Sequence, residues 1–340
     1  MVSVGVIGCG HWGPNHIRVF SQIPKVKVRM CADPDAVRLA SVQAQFPEVR
    51  TTLDPRDVIA HPEIDAVCIA TPTATHADLV RQALAAGKHV LCEKPLSLKS
   101  EECLELKRIA DAHNKVLAVG HIFLFHEGIR KIKEYIVSGE LGHVYYAHSQ
   151  RTNLGPFRYD VNALWDLAPH DVAIFNYLFD AVPLSVGARG QKCLKTSLDD
   201  LAFATLEYPK NILVNVHVSW LDPCKVRRIT IVGDQKMAVW DDLDNLGPIK
   251  LYDKHVEKTQ VFYQTYGEFQ LLSKEGSITI PKIAAQEPLK AQNQYFIGSI
   301  EKRTPPQLID VQKAYDVVRT LEAIQASVDS GGHPVKVEAK

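Results

Sequence analysis

The chain has 340 residues, 46% hydrophobic and 23% charged, with 39 basic and 39 acidic side chains that cancel to a formal charge of zero. At roughly 150 residues per domain this length suggests two domains, and the composition excludes disorder or fibrous structure as the main state. A nucleic-acid binder usually carries a basic excess, so the charge balance gives no support for such a partner.

From the N-terminus, Val2–Ile7, Val26–Ala32, Ala66–Thr71, His89–Cys92 and Lys115–Gly120 read as buried strands, apolar runs bounded by turn residues. Between them Pro14–Gln22, Asp35–Phe46, Asp54–Ala60, Thr75–Ala86 and Ser100–His113 read as helices, with Thr75 as a cap and Gly87 as a left-handed stop. Alternation of this kind predicts an α/β doubly wound parallel sheet.

Gly8-Cys9-Gly10-His11-Trp12-Gly13 joins the first strand to the first helix. In that context the first glycine permits a tight turn, the second lets a pyrophosphate approach the backbone, and the third allows close helix-to-strand packing. The phosphates would sit on the helix amino terminus. Asp33, 20 residues after Gly13, is expected to accept bonds from a ribose diol and to repel a 2′-phosphate, which favours NAD over NADP. Arg38 is the residue that could serve a 2′-phosphate instead. Ala70-Thr71-Pro72-Thr73-Ala74-Thr75-His76 and Glu93-Lys94-Pro95 follow later strands at the carboxyl edge, where open parallel sheets bind ligands. The cofactor candidates are therefore Gly8, Gly10, His11, Trp12, Gly13, Asp33, Thr71, Pro72, His76, Glu93 and Lys94. His16 reads as a cofactor-adjacent or surface residue.

After Gly120 the pattern changes. Phe125–Ser138 reads as an amphipathic helix closed by Gly139, followed by candidate strands Val144–Gln150, Leu184–Gln191, Leu201–Tyr208, Ile212–Trp220, Val226–Val232 and Met237–Asp241. Tyr208–Asn211 is a hairpin turn, and a last helix covers Val311–Ser327. The expected organisation is a dinucleotide-binding domain over 1–122 and, over 123–340, an α+β domain with a large, mainly antiparallel open sheet. Within the second part, Pro169 is tolerated in a first turn but not in a helix interior. A helix starting at Asp166 with that residue as its cap is therefore expected. Asp166 and His170, four apart, would let the carboxylate orient the imidazole; the alternative is a simple cap beside a packed polar residue.

The seven cysteines, Cys9, Cys31, Cys68, Cys92, Cys103, Cys193 and Cys224, are odd in number and form no C-x-x-C pair, as for free thiols in a reducing compartment. The stretch MVSVGVIGCG lacks a basic n-region, and no apolar run approaches the ~20 residues of a membrane span. A cytoplasmic location without a membrane partner is expected. No metal site is expected either, since the 14 histidines are dispersed and lack zinc-ligand spacing.

Taken together, the fingerprint, the Ala70–His76 segment and Glu93-Lys94-Pro95 resemble the Gfo/Idh/MocA oxidoreductases, the family of glucose-fructose oxidoreductase and inositol dehydrogenase, over essentially the whole chain. The resemblance implies a Rossmann domain binding NAD, a second domain whose open sheet mediates a homodimer or homotetramer, and a lysine, Lys94, that reaches both substrate and nicotinamide ribose. It also implies that Asp166 and His170 form the family's aspartate and histidine pair, with Asp171 a structural carboxylate. Oxidising a secondary alcohol needs a base of near-neutral pKa. His170 qualifies intrinsically, and Lys94 qualifies if desolvation and the nicotinamide charge lower its pKa or else holds the developing alkoxide. Lys94, Asp166 and His170 are thus one catalytic proton-relay unit with the base unassigned.

Ser149–Gly155 and Arg158–Asn162 further resemble the subgroup that oxidises the 3-hydroxyl of UDP-N-acetylhexosamines, implying UDP-N-acetylglucosamine as substrate and a pyridoxal-phosphate (PLP) aminotransferase as functional partner. The substrate candidates are Lys94, His121, Arg151, Asn153, Arg158, Tyr159, Asn162 and His170. Arginines suit a diphosphate through bidentate bonds, and Lys94, Arg151 and Arg158 are expected to converge on one anionic ligand. The other readings are the corresponding uronate, a free sugar or inositol, and a non-catalytic NAD-binding sensor, which would have no need of a proton relay.

Overall fold

Val2–Ile7 (β1) is buried along its whole length, the signature of a parallel strand covered on both faces. After it come Gly13–Ser21 (α1), Val26–Ala32 (β2), Ala36–Gln45 (α2), Arg50–Thr52 (β3), Pro55–Ala60 (α3), Ala66–Ile69 (β4), His76–Ala85 (α4), His89–Cys92 (β5), Ser100–Ala112 (α5) and Leu117–Val119 (β6). All strand pairs are parallel, in the order β3-β2-β1-β4-β5-β6. This is the doubly wound dinucleotide-binding arrangement, with its ligand edge at the strand carboxyl ends. Asp35 and Asp54 cap α2 and α3 by accepting from Val37 and Arg56 N–H at 2.8 and 2.9 Å. Thr75 precedes α4 but is no side-chain cap: its hydroxyl donates to Pro72 O and bonds Thr71 Oγ1. Gly87 does adopt the left-handed conformation, at φ 73°. The short polar strand β3 lies outside the strands read from the sequence.

The computed structural model describes residues 1–194, 197–256, 273–274 and 276–338. It separates into two units, Met1–Phe125 with Gln286–Glu322, and His126–Ala285 with Ala323–Lys340. A single cut at residue 122 misses this return of the chain to the first unit.

The second unit contains Glu127–Val137 (α6), Val144–Leu154 (β7), Ala163–Phe179 (α7), Ser185–Gln191 (β8), Leu201–Tyr208 (β9), Ile212–Ser219 (β10), Leu221–Gly233 (β11), Met237–Asp241 (β12), Ile249–Tyr252 (β13), His255–Val256 (β14), Ser273–Lys274 (β15) and Ile278–Thr279 (β16). Pro288–Lys302 (α8) belongs to the first unit; Val311–Asp329 (α9) and Val335–Lys336 (β17) follow. Nine strands form one sheet, β16-β13-β12-β11-β7-β10-β9-β8-β17, antiparallel except where β10 pairs with β7. Tyr208–Asn211 turns β9 into β10, with Lys210 and Asn211 at positive φ. Alternate side chains of β9 and β10, among them Ala204, Leu206, Val214 and Val216, are buried, while Phe203 and Leu213 on the opposite face are exposed. Helix α7 packs on β10 and β9, and Tyr208 Oη reaches Asn176 Oδ1 at 2.7 Å.

α7 starts three residues earlier than expected. Asn162 is the cap, accepting from Trp165 N–H at 3.1 Å, and Asp166 sits in the first turn. Pro169 is therefore inside the helix, where its missing N–H withdraws one helical bond from the Trp165 carbonyl. All seven cysteines are unpaired, and among the described residues no helix is long and apolar enough to cross a membrane.

Candidate active site

The three fingerprint glycines are required for different reasons. Gly8 has φ 93°, and a Cβ there would stand 2.5 Å from Ala70 O; a Cβ on Gly13 would strike Gly8 O. Gly10 meets nothing closer than Arg38 Nη1 at 3.8 Å. The chain itself thus needs Gly8 and Gly13, whereas the openness at Gly10 suits an incoming pyrophosphate. α1 carries no acidic residue in its first turn and receives no side-chain cap from Trp12, so its first amides suit an anion. His11 is exposed and stands edge-on to Trp12.

Asp33 is 3% exposed. Its Oδ2 accepts from Cys9 N–H at 2.7 Å and its Oδ1 from Asp35 N–H at 2.9 Å, while Arg38 Nη1 lies 3.7 Å from Oδ2. Each carboxylate oxygen keeps capacity for a second bond, so the site fits a ribose diol as well as locking the turn.

At the other strand ends, two cofactor candidates face into the protein instead. His76, 1% exposed, uses Nδ1 on Pro95 O at 2.8 Å and Nε2 on Thr71 O at 2.9 Å. It braces the turn through Thr71 and Pro72 against the Glu93-Lys94-Pro95 segment. Glu93 pairs with His16 Nε2 at 2.9 Å and accepts from Lys94 N–H at 3.3 Å. Both side chains are thus bonded within the chain, and each Glu93 oxygen, like those of Asp33, keeps capacity for a second bond.

His16, expected near the surface, is completely buried. Burial opposes its charge, but Cys68 and Glu93 beside it overcome that and raise its pKa to about 10. Burial likewise opposes ionisation of Glu93, and His16 more than offsets it, leaving the carboxyl below its ordinary value. The sequence signal for His16 is its place three residues past Gly13, within the buried stripe of Ile17 and Phe20. His121, directly after β6, is 2% exposed, and neither ring nitrogen has a hydrogen-bond partner among the described residues. Burial and then the nearby Lys94 lower its pKa to about 4, so the ring is neutral.

In the second unit, Asp166 and His170 lie one turn apart on α7. Asp166 Oδ1 accepts from Arg158 Nη1 and Oδ2 from Trp220 Nε1, both at 3.1 Å. Trp220 is absent from the residues picked out by motif, since only the folded sheet brings the end of β10 to α7. Arg158 also grips Asp160 through Nε and Nη2. Arg151 is 3% exposed and bound in two prongs to Asp171. A buried, neutralised guanidinium does not offer itself to a diphosphate, so the expected cluster of free positive charge is not formed by these arginines. Asn162 is occupied as the α7 cap and by Gln325 Oε1 at 2.9 Å, and Asn153 Nδ2 donates to Gly155 O. Tyr159 is 90% exposed.

The model of the oxidoreductase family with an NAD-binding Rossmann fold, GFO/IDH/MocA, matches residues 2–121, and that of the GFO/IDH/MocA C-terminal domain matches residues 129–239. The chain belongs to the Gfo/Idh/MocA family. It is an NAD-binding oxidoreductase, and its cofactor is NAD. Similar members include UDP-N-acetylglucosamine 3-dehydrogenase of Acidithiobacillus ferrooxidans, 33% identical over 71% of this chain and 74% of that protein. Inositol 2-dehydrogenase 2 of Saccharopolyspora erythraea is 30% identical over 64% and 66%. The crystal structure of the A. ferrooxidans enzyme superposes with a TM-score of 0.80 at 26% identity, covering 96% of this chain and 97% of that one. The uncharacterized oxidoreductase YrbE of Bacillus subtilis is 31% identical, and the matched region spans 60% of its length.

Proposed function

We propose that this family member oxidises the 3-hydroxyl of a UDP-N-acetylhexosamine, UDP-N-acetylglucosamine foremost, to the 3-keto sugar. The observation that carries this reading is the likeness to UDP-N-acetylglucosamine 3-dehydrogenase, which holds in sequence over 71% of the chain and in fold over 96%. Gly8, Gly10, Gly13, Asp33 and the first turn of α1 hold the dinucleotide. Bound NAD supplies the acceptor for the carbinol hydride.

The hydroxyl proton falls to His170 or Lys94, the two groups whose chemistry suits it. Asp166, anchored by Arg158 and Trp220, keeps a fixed negative charge one turn from His170, and a nearby carboxylate favours the imidazolium that proton uptake creates. Lys94 steadies the oxygen as negative charge develops on it. His121, neutral and buried, offers one donor and one acceptor nitrogen to the sugar. A 3-keto product calls for a PLP-dependent aminotransferase downstream. The exposed sheet face with Tyr146, Phe203 and Leu213 is the surface we assign to self-association into a dimer or tetramer, which light scattering on a sizing column tests.

A second reading is supported by the inositol dehydrogenases among the relatives: the alcohol is then a cyclitol or free sugar. The deciding experiment follows NADH fluorescence with UDP-N-acetylglucosamine, its uronate, free hexoses and myo-inositol, with an aminotransferase added to pull the uphill oxidation forward. Turnover of UDP-N-acetylglucosamine is the expected result. Reaction with free sugars or inositol alone overturns the nucleotide-sugar reading.

A further inference from the structure

Lys94 stands between two neighbours that are each gripped by a buried histidine. On one side Glu93 Oε1 meets His16 Nε2 at 2.9 Å; on the other the Pro95 carbonyl meets His76 Nδ1 at 2.8 Å. The second nitrogen of each ring is also used, His76 Nε2 on Thr71 O at 2.9 Å and His16 Nδ1 on the Asn293 side-chain amide at 3.2 Å. Asn293 Oδ1 has no partner among the described residues. A half-turn of the amide puts that oxygen on His16 Nδ1–H, so that His16 donates from both nitrogens. Glu93 is further confined by Gly120, where a Cβ would come within 3.2 Å of the carboxyl atoms. Asn293 arrives on α8, from the segment that returns to the first unit.

We propose that His16, His76 and Asn293 are positioning residues for Lys94, holding the Glu93-Lys94-Pro95 backbone so that the ammonium starts from one fixed point. The proposal rests on the reading of Lys94 as a catalytic residue. A lysine side chain has four flexible carbons and loses little of its freedom by itself, so the accuracy of its reach depends on how firmly its backbone is held. His16 also supplies the counter-charge for Glu93. The groups facing this carboxylate are His16, His76, Lys94, His121 and Cys92, with His121 also facing Lys94, and those facing His16 are Glu93, Cys68 and Asn293. Removing His16 therefore throws the carboxylate onto Lys94, whose pKa rises.

The test compares wild type with His16→Leu, His16→Gln, His76→Gln and Asn293→Leu, each with NAD bound. In His16→Leu we expect NADH binding to hold while kcat falls by about ten- to hundred-fold, as a small misplacement of a reacting group does, and the pH profile of kcat moves to higher pH. His16→Gln, which keeps a donor toward Glu93, restores part of the rate but not the profile. Asn293→Leu and His76→Gln lower kcat in the same sense and carry the test if His16→Leu does not fold. Competitive acetylation of Lys94 read by mass spectrometry measures its pKa without any substrate, which keeps this proposal testable even if every sugar in the panel fails. Folded variants with wild-type kcat, or with an unmoved Lys94 pKa in His16→Leu, overturn it.

Discussion

Arg151 and Asp171 form a two-pronged buried ion pair, Nε to Oδ2 at 2.8 Å and Nη2 to Oδ1 at 3.1 Å, with 3% and 1% of their side chains exposed. Arg151→Ala leaves Asp171 as an uncompensated buried charge, so stability should fall by about 3–5 kcal/mol. Urea unfolding measures this. A stable variant that only raises KM for a nucleotide sugar returns Arg151 to the substrate site.

Gly10→Ala and Gly13→Ala should separate folding from cofactor binding. The new Cβ at position 10 has only Arg38 Nη1 nearby, at 3.8 Å, whereas at position 13 it collides with the Gly8 carbonyl. Gly10→Ala is expected to melt like wild type and to bind NAD more weakly; Gly13→Ala is expected to lose its cooperative melt. Equal NAD affinity in Gly10→Ala contradicts the assignment of that opening to the pyrophosphate.

Asp33→Ser replaces the two-oxygen carboxylate that accepts from Cys9 and Asp35 N–H by a single neutral hydroxyl and releases Arg38 Nη1 from one of its two carboxylate partners, Asp35 remaining on Nε. NAD affinity should drop roughly ten- to hundred-fold, the value of about 1–3 kcal/mol for a charged hydrogen-bond partner, while NADP binding improves as Arg38 becomes available to a 2′-phosphate. Calorimetric titration with both dinucleotides decides it; an unchanged NAD to NADP ratio rules out Asp33 as the selector.

Melting temperature should peak near neutral-to-mildly-acidic pH. Burial, and then Lys94 and Lys115 respectively, lowers His121 and His89 to about 4, so the unfolded chain takes up protons there first, and stability falls as pH drops from 6.5 toward 4. His16 is raised to about 10; its contribution is complete below 6.5 and is lost as pH rises toward 10. His121→Asn should flatten the acid limb and His16→Gln the alkaline limb of the melting curve measured against pH. Limbs of unchanged slope contradict these protonation states.

Lys94→Ala and His170→Ala should each retain NAD binding and lose turnover by at least about a hundred-fold, the scale of a general acid–base group. Near-normal turnover in either variant removes that residue from the relay.

The sequence alone determined the alternation of strands and helices in the first unit, the glycine fingerprint and Asp33, and the period-two strands of the second, because each is a local pattern over a few adjacent residues. Some local readings failed where a stronger neighbour competed. Asn162 outranked Asp166 as the cap of α7, and β3 is too short and polar to announce itself. Helix α8 was hidden because its buried face includes Gln292 and Asn293 as well as Leu289, Phe296 and Ile297, which blurs the apolar period. Only the tertiary structure decided which charges are spent. It closed Arg151 on Asp171, turned Glu93 onto His16 and carried Asn293 across 277 positions to the same ring. A side chain's partner in a buried site is set by packing between distant segments, and a desolvated charge must take whatever counter-group the fold brings to it.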